Sequence, residues 1–170
     1  MPRSKNRARH SARPPHPASS SPALRPVVQQ DRTGCALACV AAITGQSYAA
    51  VKTAAAHLGF AVSDFALWSD PRPIRKLLSA FSVVADTNET PFTSWDALPP
   101  LALLAIKWHR EKTGPAWHWV VFVREVSACY VLDSKRSLRT HRRTDFGRMK
   151  PKWFIALQPA RRAPASLHAA

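Results

Sequence analysis

The sequence predicts an α+β domain, with helices in its first half packed on an antiparallel sheet supplied by its second half. Three observations carry this. Residues 35–58 are rich in Ala and other small apolar residues, which favour helix. Beyond residue 100 come four short runs, LALLAIKW, WHWVVFVRE, CYVLDS and WFIALQ, dense in β-branched and aromatic residues. Only Val126, Ser127 and Ala128 separate the second run from the third, a hairpin-sized gap. Helices followed by consecutive strands segregate into an α+β architecture.

Each element has its own signals. The run CALACVAAIT, Cys35 to Thr44, has Thr33 or Gly34 at the N-cap position and Gly45 at its C-terminal stop. Ser47 is placed to cap a second helix, Tyr48 to Leu58, which Gly59 closes. Asp70-Pro71 opens a third, Pro73 to Phe81, with Ile74, Leu77, Leu78 and Phe81 on one face. In WHWVVFV, period-two alternation puts His118, Val120 and Phe122 on one face and Trp117, Trp119, Val121 and Val123 on the other.

Length and composition bound the rest. A chain of 170 residues with 46% apolar residues suits one domain with a genuine core. No apolar run reaches membrane-span length, and the N-terminus lacks the apolar stretch of a secretory signal, so a cytoplasmic location is expected. Three Cys are too few for a disulfide framework and fit a reducing compartment. Residues 1–26 are basic and rich in Pro and Ser, without apolar periodicity, and are expected to be a disordered tail. The domain is expected over 27–158, with 159–170 a flexible tail. The formal net charge is +15, of which residues 27–158 contribute +7. From Lys135 to Lys152 eight basic residues face one acid, Asp145. Lys135, Arg136, Arg139, Arg142 and Arg143 thus form a candidate basic binding surface, while Phe146 and Trp153 are expected to turn toward the core.

The chemistry centres on Cys35. It stands at the first turn of a helix, where unpaired N–H groups and the helix dipole favour a thiolate. A backbone N–H there can also point at a developing oxyanion. Cys39, one turn further in, is expected in the core. Gln29 and Gln30 precede Cys35 by six and five residues, and either side-chain amide is a candidate second oxyanion donor. A thiol nucleophile needs a base, and the base an orienting group. His118 opens an apolar strand, and Asp133 ends the strand after it. Pairing of the two in a hairpin brings the imidazole and carboxylate together across the ladder.

These residues, QQDRTGCALACVAAITG followed by HWVVFV and YVLDS, resemble the double-glycine leader peptidase family of the papain-like cysteine peptidases. The resemblance spans roughly 27–158. It implies a papain-like fold and hydrolysis of a peptide or amide bond through a thioester, on a peptide or protein substrate. It further implies that Gln29 is the oxyanion residue, Cys35 the nucleophile, His118 the general base and acid, and Asp133 the orienting residue. The family's Asp-Cys-Gly is replaced here by Gly34-Cys35-Ala36.

Three other readings compete. A catalytically silent papain-like domain would only bind peptides. A nucleic-acid-binding module would use the basic stretch and its aromatics. A metal site would draw on Cys35, Cys39, Cys129, His57, His109 and His118, but a single C-x3-C with no second close pair is a poor zinc pattern. No metal or other cofactor is therefore expected.

Overall fold

The computed structural model describes residues 23–158; most of the expected N-terminal tail, and the segment 159–170, lie outside them. Three α-helices come first: α1 (Cys35–Thr44), α2 (Tyr48–His57) and α3 (Pro71–Ala80), with a 3-10 turn, Phe65–Trp68, before α3. Seven strands follow: β1 (Val84–Ala85), β2 (Thr90–Pro91), β3 (Leu101–Glu111), β4 (Gly114–Arg124), β5 (Cys129–Leu132), β6 (Arg142–Arg143) and β7 (Pro151–Gln158). The sheet is antiparallel throughout, in the order β1-β7-β3-β4-β5-β6, with β2 also on β7.

The caps act as the sequence predicts. Ser47 Oγ accepts from the Ala50 N–H at 3.1 Å, and Gly45 takes a left-handed φ of 69° to end α1. Asp70 accepts from the Arg72 N–H at 2.8 Å, so α3 begins at Pro71, two residues before its expected start. Proline is well placed there, since the first helical residue needs no N–H.

Alternation along the strands builds two apolar layers. Leu103, Ala105, Trp119, Val121 and Ile155 join α1, α2 and α3 in one core. Ala102, Leu104, Val120, Phe122 and Phe154 form a second on the opposite face, covered by Trp95, Leu98, Phe146 and Met149. Trp153 makes edge-to-face contacts with Trp117 and Trp119 at 5.0 and 5.3 Å, and Phe146 lies 4.6 Å from Trp95, so both turn inward. The fully buried Trp119 donates its indole N–H to the Leu67 carbonyl at 2.9 Å, fastening the 3-10 turn to the sheet. Leu24 and Val27 pack on the helical core.

The sheet is irregular around the partner of His118. Ile106 pairs with His118 and His109 with Ala116, which leaves one extra residue in β3. On the other side Ala105 pairs with Trp153 and Ile106 with Pro151, which leaves one extra in β7. Lys107 takes a φ of 53° within this distortion. Bulges of this kind twist a strand and re-aim its side chains.

Candidate active site

Helix α1 presents Cys35 at its first residue. The thiol belongs to a residue only 4% exposed, and it opens into a cleft of about 360 Å³ also lined by Gln29, Thr33, Trp68, Trp117 and His118. The nearly complete burial of α1, from Cys35 to Ala42, explains the small side chains of this helix: it is wedged between α2, α3 and β4. Gly34 precedes it for a steric reason. A Cβ at this position would lie 1.8 Å from the Tyr48 hydroxyl oxygen. That hydroxyl donates to Asp31 Oδ2 at 3.0 Å, and Lys52 Nζ donates to the same carboxylate. The Tyr48–Asp31–Lys52 cluster thus shapes the turn that delivers Cys35.

His118 lies just beyond the β4–β5 ladder, whose last pair is Val121 with Leu132. Asp133 is therefore diagonal to His118 rather than directly opposite. Such diagonal neighbours remain within reach of long side chains. His118 Nε2 and Asp133 Oδ1 are 2.8 Å apart. This bond assigns Nε2 to the carboxylate and leaves Nδ1 as the ring nitrogen for the thiol. Burial works against charge on the ring. The bond to Asp133 and the nearby Cys35 thiol outweigh it, and the imidazole is raised to about 9.

Asp133 is wholly buried and fully engaged. Oδ1 also accepts from the Lys135 N–H at 3.1 Å, and Oδ2 accepts from Arg143 Nη1 at 2.8 Å. Burial opposes its charge, but His118, Lys135 and Arg143 together hold the carboxyl well below the usual carboxylate range. Arg143 is in turn clamped by Asp145, at 2.9 and 2.7 Å. Arg143 still lines the basic surface, but its side chain is largely buried, because the β5–β6 pairing of Val131 with Arg143 turns it toward the Asp133 carboxylate. The signal for this role is a two-residue strand, too short to be seen by periodicity.

Gln29, the expected oxyanion residue, is buried and lines the cleft, but its side chain is committed within the protein. Nε2 donates to the carbonyls of Asp31 at 3.0 Å and Arg32 at 2.8 Å. Oε1 accepts from Ser134 Oγ at 3.0 Å, and the Gln29 N–H donates to the Ser134 carbonyl at 3.0 Å. Gln29 thus ties the Cys35 loop to the residue after Asp133 while lining the cleft. Gln30 is exposed, and its carbonyl accepts from Arg136 Nη1 at 3.3 Å. Cys39 is buried, as expected. Burial, then the fields of Cys35 and Asp133, push its thiol well above its ordinary value.

The remaining members of the expected basic surface separate by environment. Lys135, Arg136, Arg139 and Arg142 are exposed, and the Arg142 guanidinium lies 3.7 Å from the centre of the Tyr130 ring. Among the described residues no group of three His, Cys, Asp or Glu side chains is arranged to hold a metal ion, and no single helix is long and apolar enough to cross a membrane.

A thiol at a helix start thus shares a cleft with an imidazole that a carboxylate from the antiparallel sheet holds. Comparison with solved structures shows the fold to be papain-like. The chain has the fold of a double-glycine motif protease domain from an AMS/PCAT transporter, crystallised with its leader peptide, at a TM-score of 0.53 and 13% identity over 81% of this chain and 92% of that one. It also matches the peptidase domain of Streptococcus ComA, a bifunctional ABC transporter of a quorum-sensing pathway, at 0.51 and 17% identity over 81% and 99%. No family model and no curated protein matches the sequence.

Proposed function

We propose that the protein is a cysteine peptidase that cleaves a peptide bond through a thioester on Cys35. The observation that carries the reading is the 2.8 Å His118–Asp133 bond, in the same structure as a helix-start Cys35 that shares its cleft with His118. The protonated imidazole pairs with the thiolate. Cys35 Sγ attacks the carbonyl carbon, a C–S bond forms, and the carbonyl electrons move onto oxygen, next to the Cys35 N–H. The oxyanion collapses, the C–N bond breaks, and His118 gives its proton to the leaving amine. His118 then takes a proton from water, whose oxygen attacks the thioester. The C–S bond breaks, releasing the acid and restoring the ion pair.

Gln29 contributes to the oxyanion site only if one Nε2 hydrogen leaves a loop carbonyl for the substrate oxygen. Its first duty, on this reading, is to hold the Cys35 turn. The peptide substrate is supported by the leader peptide bound to the transporter protease of like fold. The test is intact-mass detection of an acyl-enzyme. Protein is mixed with a peptide pool and quenched in acid, with Cys35→Ala as the control. An adduct localised to Cys35 is expected. No adduct, together with equal alkylation rates for Cys35 and Cys129, sinks the proposal.

A further inference from the structure

Two cavities lie away from Cys35. They adjoin one another in the basic segment, at about 650 and 580 Å³, and share Leu138, Arg143 and Arg148. Lys107, Lys150 and Lys152 line the first and Arg139 the second, with Arg148 between them. None of these five has a carboxylate at ion-pair distance among the described residues. Asp133 and Asp145, the acids of this region, are taken by His118 and Arg143. The two strand irregularities fall at Lys107 and Lys152, and both lysines line the same cavity. Gathering unpaired like charges into one hollow is unfavourable in the isolated protein. Burial and the neighbouring Lys135 already lower the Lys107 ammonium below its ordinary value.

We propose that this groove is a binding site for a carboxylate-rich stretch of polypeptide. Exposed cations without internal partners provide charge-assisted donors for side-chain carboxylates. Nucleic acid is the less suited polyanion. Single strands need a row of stacking aromatics, but Phe146 and Trp153 are packed inward, at 4.6 Å from Trp95 and 5.0 Å from Trp117. Trp108 alone lines these cavities as an aromatic, and Lys152 Nζ already sits 5.2 Å from its ring centre. The groove and the cleft are linked through the buried Asp133 carboxylate. Arg143, on Asp133 Oδ2, lines both cavities, while His118, on Oδ1, lines the cleft with Cys35. An acidic segment held there lies beside the catalytic residues proposed above, yet its binding does not require their chemistry.

The test uses the full chain carrying Cys35→Ala, so that loss of binding is distinct from loss of catalysis. Fluorescence anisotropy follows labelled oligoglutamate, oligoglutamine of equal length, and a single-stranded oligonucleotide of matched charge. Oligoglutamate is expected to bind and oligoglutamine not. Arg148→Glu with Lys150→Glu should weaken oligoglutamate by about tenfold or more, whereas Arg110→Glu with Lys112→Glu, at the β3–β4 turn, should change it less than about twofold. Equal losses from both pairs, no oligoglutamate binding, or tighter binding of the oligonucleotide through the same residues would overturn the proposal. Acetylation footprinting needs no charge reversal. Oligoglutamate should protect Lys107, Lys150 and Lys152 but not Lys112; uniform rates with and without it count against the groove.

Discussion

The cleft and the groove sit on either side of one carboxylate and treat charge in opposite ways. Around Asp133 every formal charge has a partner: Asp133 meets His118, the Lys135 N–H and Arg143, and Arg143 meets Asp145. In the groove five cations converge with none. A buried ionic network stabilises one geometry only when all of its members are satisfied, and it penalises heavily the loss of any one. Exposed cations without partners cost little singly and are free to meet an external ligand. The contrast separates the proposed reacting centre from the proposed binding surface.

The largest expected effect breaks the cleft at its base. His118→Ala removes the imidazole that the proposed mechanism uses to activate Cys35, and iodoacetamide labelling of Cys35 near neutral pH should fall by about 10²-fold or more. Cys39 should stay slow in both proteins, because it is buried. Cys35→Ala should reduce peptide cleavage to background while leaving the thermal transition near that of the parent. Equal labelling of all three thiols in both proteins would remove the chemical basis of the site.

Asp133→Asn comes next and acts on both rate and fold. It keeps the shape but weakens the hold on the His118 Nε2–H, and a loss of about 10²- to 10⁴-fold in acylation is expected. It also strips Arg143 of a buried partner, and breaking such a pair costs on the order of 3 kcal/mol. The pH dependence has a definite sign. A His118 raised to about 9 keeps its proton, and its capacity to protonate the leaving amine, until pH rises through that value. The alkaline limb of acylation should therefore lie near 9 and move to lower pH in Asp133→Asn. The same ionisation stabilises the fold. Its contribution is complete below the unfolded His value of about 6.5 and vanishes as pH rises through the folded one. A limb that stays in place would show that Asp133 does not govern the imidazole.

Much of this site was legible in the chain because its signals are local. Gly34 before Cys35, Ser47 and Asp70 as caps, and the alternation of Trp117 to Val123 each act within a few residues. What escaped depends on pairing between distant segments. Arg143 looks like one more basic residue until the β5–β6 register places it on Asp133 Oδ2. The two-residue strands carry too few side chains for a period. Gln29 was visible as a polar neighbour of Cys35, but its commitment to Ser134 spans 105 residues. The extra residues at Lys107 and Lys152 follow from mismatched registers on both sides of β3, and no single strand shows them.

A smaller effect is expected at the turn that delivers the thiol. Gly34→Ala drives a methyl group into the Tyr48 hydroxyl and should destabilise the fold by about 1–3 kcal/mol. Adding Tyr48→Phe removes the oxygen at 1.8 Å but leaves the ring carbon at 2.9 Å, so relief should be partial. Chemical denaturation of the two single variants and the double variant should show a combined loss smaller than the sum, the mark of a shared contact. Simple additivity would place the strain elsewhere.

The smallest effect sharpens the contrast most. Arg148→Glu and Lys150→Glu disturb no ion pair, and each should shift stability by no more than about 0.5 kcal/mol. The direction is toward greater stability, since each reversal relieves repulsion within the groove, and the gain should shrink as salt screens it. Arg143→Glu is the matched control: the same charge change, a short way along the same wall, forces a carboxylate against Asp133 and Asp145 and should destabilise strongly. Denaturation midpoints at low and high salt measure all three. If Arg148→Glu proves as damaging as Arg143→Glu, the groove cations are part of the fold's internal ion pairing, and the division between a satisfied cleft and an open groove fails.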